Sequence, residues 1–186
     1  MKLYIGLVHY PVYNKNDQII ASAITTFDLH DISRLGKTYG VKGFFVITPL
    51  ADQRKLAERV IRHWLQGYGA KYNPNRTAAL ELAIISPSID DSMAEIAGLE
   101  GKRPVLISTD ASKQERGSIT YSDVSALLRS EAVVFLLFGT AWGLSEEVID
   151  RSDYTLNPIE GRTGYNHLSV RAATAIILDR LTGYYE

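Results

Sequence analysis

The sequence predicts an α/β fold, a mainly parallel sheet with helices on both faces. Three observations predict it. Short apolar runs alternate with segments of helical spacing. Ala132 to Phe138, AVVFLLF, is apolar without a break, as a strand is when helices cover both its faces. Gly67 to Thr77, GYGAKYNPNRT, is the only long polar connection in the first half of the chain. At 186 residues the chain holds one domain with a real core, so a single domain over residues 1–186 is expected.

Leu3 to Val8 is the first short apolar run. Asp28 to Tyr39 has helical spacing, with Leu29, Ile32 and Leu35 on one side and Gly40 at its end. Gly43 to Thr48, GFFVIT, reads as a second buried strand, with Pro49 just after it. Ala51 to Leu65 is a strong helix, because Leu56, Ala57, Val60, Ile61, Trp64 and Leu65 fall on one stripe. Leu82 to Ile85 is a strand stopped by Ser86 and Pro87. Ser88 and Asp91 give a capping-box signature ahead of Met93, Ile96 and Ala97. Pro104 to Ile107 is another short strand, and Ser122 is read as the cap of a helix over Val124 to Arg129. From Leu168 to Leu181 nearly every face is apolar, so this last helix is enclosed by its own chain, by a partner subunit, or by both.

Composition excludes several functions. Net charge is −1 and the pI about 6.4, so any nucleic-acid contact must use a local basic patch. The absence of cysteine removes disulfides, thiolate metal sites and cysteine nucleophiles. No apolar stretch approaches membrane-spanning length, and MKLYIGLVHYP carries one basic residue before a strand pattern; a cytoplasmic protein without a signal peptide is expected. Neither G-x-G-x-x-G after the first strand nor G-x-x-x-x-G-K-[ST] occurs, which removes the warrant for NAD and ATP. His9, His30, His63 and His167 lack the i, i+4 spacing of a helical zinc site, and no metal is expected. His63 reads as structural or solvent-facing.

The function is expected in the last third. A buried strand runs into the glycine turn of LLFGTAWGLSEEVI and a short helix; a polar loop holding Asn157, Pro158, Gly161 and Gly164 follows, then the alanine-rich helix. Two such loops in succession can build a pocket from backbone N–H and C=O groups, suited to a small amphipathic cofactor. In parallel sheets such pockets lie beyond the C-terminal ends of strands.

LLFGTAWGLSEEVI resembles the second motif of the SPOUT class of RNA methyltransferases, and LNPIEGRTGYNHLSVRAATAII resembles the third. The first motif, Asn-x-Gly-Ala-x-x-Arg in SpoU-type members, has a partial counterpart in Asp28 to Arg34: the arginine is kept, while Asp28, His30 and Asp31 replace asparagine, glycine and alanine. The resemblance covers nearly the whole chain and is closest to the small branch also found fused behind tRNA guanine methyltransferases. It implies S-adenosylmethionine as cofactor, methyl transfer to RNA, a deep C-terminal trefoil knot and a homodimer.

Candidate residues follow from the resemblance and from chemistry together. Gly139 and Gly143 permit tight turns and close backbone approach, beside Thr140 and Trp142, a candidate wall of the pocket. Leu156, Pro158 and Leu168 would pack adenine, while Ser108 and Thr109 end a strand where ribose or the amino-acid portion would lie. Asn166 and His167 stand where the last helix needs a cap, and Ser169 can bond backbone or ligand. Asp28, His30, Asp31 and Arg34 are the catalytic candidates: Arg34 to orient phosphate or base, His30 to move protons near neutrality, and the carboxylates at a helix start, where Asp28 could equally be a plain cap. Lys71, Tyr72 and Arg76 are candidate RNA contacts, although an ordinary solvated loop reads the same way. Two alternatives stay open at this point: a non-catalytic RNA- or protein-binding module that keeps the pocket, and a methyltransferase for another acceptor.

Overall fold

The structure, a computed structural model, describes residues 1–113 and 117–183. Its strands are β1 (Lys2–Val8), β2 (Val12–Tyr13), β3 (Ile19–Ile20), β4 (Gly43–Ile47), β5 (Ala83–Ser86), β6 (Val105–Thr109), β7 (Ser118–Ile119), β8 (Val133–Gly139) and β9 (Tyr154–Leu156). Its helices are α1 (Thr26–Thr38), α2 (Ala51–Gln66), α3 (Tyr68–Tyr72), α4 (Pro74–Leu80), α5 (Ile89–Glu100), α6 (Tyr121–Arg129), α7 (Glu146–Arg151) and α8 (Val170–Thr182). Seven strands form one sheet in the order β5-β4-β1-β8-β6-β9-β7, and every pairing in it is parallel.

β1 and β8 are the spine. Their register runs from Lys2 beside Val133 to Val8 beside Gly139. The side chains alternate between two cores. Leu3, Ile5, Leu7, Val134, Leu136 and Phe138 meet Leu29 and Ile32 of α1, Val124 of α6 and Ile177 and Leu178 of α8. On the other face Tyr4, Val8, Phe135 and Leu137 meet Ile96 of α5 and Val148 of α7. Helices therefore cover both faces, which is why β8 tolerates no polar residue before Gly139.

Local chemistry moves several boundaries. The stretch Gly67 to Thr77 is not a loop but the short helices α3 and α4; Asn73 caps α4 by accepting from the Arg76 N–H, and Pro74 sits where a helix has a spare donor position. α6 is capped by Thr120 rather than Ser122, through a reciprocal box with Asp123. α1 is capped by Thr25, and Asp28 is its third residue, accepting from the Thr25 hydroxyl. The short strands β2, β3, β7 and β9 carry too few residues for a period-2 signal. α8 is enclosed by its own chain along Thr174, Ile177, Leu178 and Leu181, and packs on α1, α6 and β8.

β9 lies between β6 and β7, so two strands consecutive in sequence are separated in the sheet by one that comes later in the chain. At the sheet's C-terminal end, His9 follows β1 and is fully buried. Its Nδ1 is 2.9 Å from Ser22 Oγ, which lies 2.6 Å from Thr140 Oγ1, and Thr140 donates to the Val8 carbonyl at 2.9 Å. Burial holds the His9 pKa down to about 4 from 6.5, against a smaller opposing pull from the Asp28 carboxylate.

Between those values the unfolded chain binds a proton that the folded chain refuses. His9 therefore contributes stability that is full above pH 6.5 and falls as the pH drops toward 4, by about 3 kcal/mol across the window. Urea titrations at pH 7, 5.5 and 4.5 are expected to show a steeper acid loss in the native chain than in His9→Gln, whatever the variant's own stability at pH 7.

Candidate functional site

Four neighbouring strands, β1, β8, β6 and β9, end at one edge, and residues just beyond β8, β6 and β9 help to enclose a cavity of about 620 Å³. From β8 come Gly139, Thr140, Ala141, Trp142 and Gly143. β6 gives Thr109, then Asp110 and Ala111; β9 gives Leu156, then Asn157 and Pro158. The start of α8 closes it with Asn166, His167, Leu168 and Ser169, and the start of α1 adds Thr25 and Asp28.

The β8 turn is fixed by a close backbone approach. A Cβ on Gly139 would stand 2.5 Å from the Leu144 nitrogen and 2.8 Å from the Gly143 carbonyl carbon, so only glycine fits. Ala141 and Gly143 have φ of 52° and 106°, and the Gly143 N–H closes the turn onto the Thr140 carbonyl at 3.0 Å. The β2–β3 hairpin braces the turn: Trp142 N–H donates to the Tyr13 carbonyl and Tyr13 N–H to the Gly143 carbonyl, both at 3.0 Å. Trp142 itself is mostly exposed and forms part of the wall.

The third segment is held differently. Asn157 N–H donates to the Ile119 carbonyl at 2.9 Å, while its Oδ1 is buried without a partner. Asn166 Nδ2 donates to the Ala111 carbonyl at 2.6 Å, tying the approach to α8 to the loop after β6. Asn166 and His167 are thus not the cap of α8. Ser169 is, accepting from the Ala172 N–H at 3.3 Å. Gly161 and Gly164 stand in open space at the exposed tip, where no contact requires a glycine.

Of the residues expected around the cofactor, Ser108 alone lies off the cavity: it is fully buried, and its hydroxyl pairs with Thr155 Oγ1 at 2.9 Å inside the sheet. Thr109, one residue on, reaches the cavity and donates its hydroxyl to the Leu137 carbonyl. Sequence reasoning missed Asp110, whose Oδ1 accepts from the Ser112 N–H at 2.6 Å; a polar residue after a strand end was the available signal. Among the described residues the cavity lining holds two carboxylates, Asp28 and Asp110, and neither lysine nor arginine.

The four residues grouped as catalytic do not share one cavity. Asp28 faces the first. His30, Asp31 and Arg34 line a second, of about 660 Å³, between α1, α2 and α4. Helical geometry explains the split for His30 and Arg34, two and six positions on from Asp28 and so on other sides of α1, while Asp31, three positions on, stays beside Asp28 at the boundary between the cavities. Arg171 of α8, unforeseen from sequence, bridges the two carboxylates: Nε is 3.3 Å from Asp28 Oδ1 and Nη1 2.9 Å from Asp31 Oδ2. Burial, then Arg76, lowers the His30 pKa, with Asp31 opposing. Of the expected RNA contacts, Lys71 and Tyr72 are exposed on α3, and Arg76 lies over the Trp64 ring at 4.6 Å, in the second cavity. His63 is exposed and meets Trp64 edge-on.

This geometry has relatives. The family described as SAM-dependent RNA methyltransferase matches residues 2–183. A tRNA (guanine-N(1)-)-methyltransferase of Oleidesulfovibrio alaskensis is 44% identical over 181 residues, covering 97% of this chain and 42% of the relative. An uncharacterized protein of Aquifex aeolicus is 36% identical over 180 residues, 96% of this chain and 87% of that one. The chain thus spans less than half of the first relative's length. Among solved structures, the SpoU methyltransferase AviRb of Streptomyces viridochromogenes in complex with AdoMet superposes with a TM-score of 0.57 at 19% identity, over 97% of this chain and 58% of that one. That likeness is one of fold, and the fold is the parallel α/β arrangement of the SpoU enzymes. A family match across nearly every residue, and a 36% identical relative matched over most of its length, place the sequence without ambiguity: the chain belongs to the SAM-dependent RNA methyltransferase family.

Proposed function

We propose that this chain is a single methyltransferase domain that transfers a methyl group from S-adenosylmethionine to RNA, at the cavity beyond β1, β8, β6 and β9. The observation that carries the reading is the charge of that cavity: two carboxylates, neither lysine nor arginine, and a wall of main chain and apolar groups. Such a site repels phosphate-bearing cofactors and favours a nucleoside carrying positive charge. When bound, S-adenosylmethionine supplies an activated methyl group on a sulfonium.

The residues present fit that group. Asn157 Oδ1, buried and unpartnered, is free to accept from an adenine amino group, with Leu156, Pro158 and Leu168 packing about the base. Thr109, Asp110 and Thr140 offer polar groups for ribose and the amino-acid portion. The close turn at Gly139 leaves room for main chain to approach a ligand, and Gly143, Asn166, His167 and Ser169 complete the rim beside Trp142.

Asp28 is the group we assign to the acceptor. Its Oδ2 is oriented by the Thr25 hydroxyl at 2.6 Å and its Oδ1 by Arg171, which aims the carboxylate as a general base toward an acceptor nitrogen or hydroxyl. His30, Asp31 and Arg34 then act in docking and positioning rather than at the transferred methyl. Lys71 and Tyr72 on α3 extend the RNA face.

Three finer expectations belong to the same reading. A deep trefoil knot is supported by the placement of β9 between β6 and β7 and by the Asn166 bond to Ala111. A homodimer is supported by the exposed Trp142 and Leu168 of the cavity lining and the exposed Tyr165 beside them in the chain. A cytoplasmic location fits an RNA acceptor; among the described residues no helix is long and apolar enough to cross a membrane.

Labelled-methyl transfer to total cellular RNA, followed by nucleoside analysis, tests the function; a methylated nucleoside, guanosine among the candidates, is expected, and absence of any product overturns it. Asp28→Asn is expected to lower kcat by about 10²- to 10⁴-fold with affinity for S-adenosylhomocysteine within threefold. Gly139→Ala is expected to weaken S-adenosylhomocysteine at least tenfold by calorimetry, because the added carbon lands on main chain that cannot yield. Pulling the chain by its two ends is expected to stop short of about 3.3–3.6 Å per residue as the knot tightens; full extension overturns the threading.

A further inference from the structure

The second cavity is electrically the opposite of the first. Arg34 of α1, Arg59 of α2 and Arg76 of α4 line it, with Asp31 the one carboxylate among its lining residues. Asp31 is already engaged by Arg171. Among the described residues, none of the three arginines forms an ion pair within the chain. Three guanidinium groups gathered in one concavity of a chain of net charge −1 are costly to hold together and are stabilised by an anion between them.

The aromatic groups narrow the identity of that anion. Phe27, 68% exposed, stands on the rim with its ring beside the Arg171 guanidinium at 5.6 Å. Trp64 forms the floor, covered by Arg76 at 4.6 Å and met edge-on by His30 at 5.2 Å. On α3, packed against α2 and α4, Tyr68 and Tyr72 stack with ring centroids 6.0 Å apart and are 74% and 72% exposed. Cations alternating with open aromatic faces are the surface that takes phosphodiester and unstacked base together; an acidic peptide uses the cations and leaves the rings idle.

We propose that the cleft between α1, α2 and α4 is an RNA-docking site, separate from the cofactor cavity, in which Arg34, Arg59 and Arg76 hold backbone phosphate and Phe27 stacks an unpaired base. The inference rests on the RNA reading above and deepens it. Thr25 and Asp28 face one cavity while Thr26 and Phe27 face the other, so RNA held in the cleft lies one helical turn from Asp28. The acceptor nucleotide then reaches the cofactor cavity across the first turn of α1.

The test is fluorescence anisotropy of the full chain with a labelled single-stranded uridine dodecamer and with bulk tRNA, from 50 to 300 mM salt. The double variant Arg34→Gln/Arg59→Gln is expected to lose at least tenfold in RNA affinity at 50 mM salt and to lower the slope of log affinity against log salt by about 1.4, at about 0.7 per phosphate contact. Phe27→Ala is expected to lose about tenfold with the slope unchanged. Arg129→Gln, an exposed arginine on α6, is expected to change neither. Affinity for S-adenosylhomocysteine is expected to stay within twofold in all of them, which also shows that each is folded. The proposal is overturned if the double variant binds RNA with native affinity and slope, if the native chain binds neither RNA, or if polyglutamate competes as well as RNA, which makes the cleft a site for acidic protein. RNA binding with these variant effects but without methyl transfer upholds the docking site and sinks the methyltransferase reading, so the two failures are distinguishable.

Discussion

The site depends on one close approach. Because Gly139 has no side chain, the turn after β8 folds back until the Leu144 nitrogen lies 2.5 Å from where a Cβ would stand. That contact places Trp142 and Gly143 within hydrogen-bonding distance of Tyr13, and the β2–β3 hairpin is thereby tied to the turn. The hairpin in turn brings Ser22 between His9 and Thr140. A single missing methyl thus lets three segments, far apart in sequence, agree on one position beyond the ends of β1 and β8.

Charge is sorted by α1. Its first turn presents Asp28 to a cavity with carboxylates and without lysine or arginine, and its next residues face one with three arginines. A methyl donor that is positively charged and an acceptor polymer that is negatively charged make opposite demands, and low dielectric between helices lets neighbouring sites meet both. The chain's near-zero net charge conceals this separation, which is why charge counting alone gave no hint of the arginine-lined cleft.

Much of the architecture was legible because its signals are local. The unbroken apolar run of β8, the stripe of α2 and the Ser88 cap of α5 each report burial or capping within a few residues. The loops that line the first cavity were legible for a related reason: glycine, proline and asparagine mark turns by their own backbone preferences. What escaped has a common cause. β7 and β9 have two and three residues, and their pairing is decided by what lies beside them. Gly67 to Thr77 looked like a loop because glycine, asparagine and proline were read as breakers, whereas Asn73 and Pro74 begin a helix. Arg171 was invisible because its partners lie 140 and 143 positions away. The grouping of Asp28 with His30 and Arg34 failed because proximity in sequence is not proximity on a helix.

The Arg171 bridge has a consequence for how two ligands would meet on this protein. One guanidinium serves Asp28, on the donor side, and Asp31, on the polymer side. A ligand that draws Asp31 or Arg171 toward itself alters the field at Asp28, and the converse holds. Thermodynamic reciprocity then requires each occupant to change the other's affinity by the same factor. The order of arrival would leave that factor untouched, so a single side chain makes the two clefts report on each other.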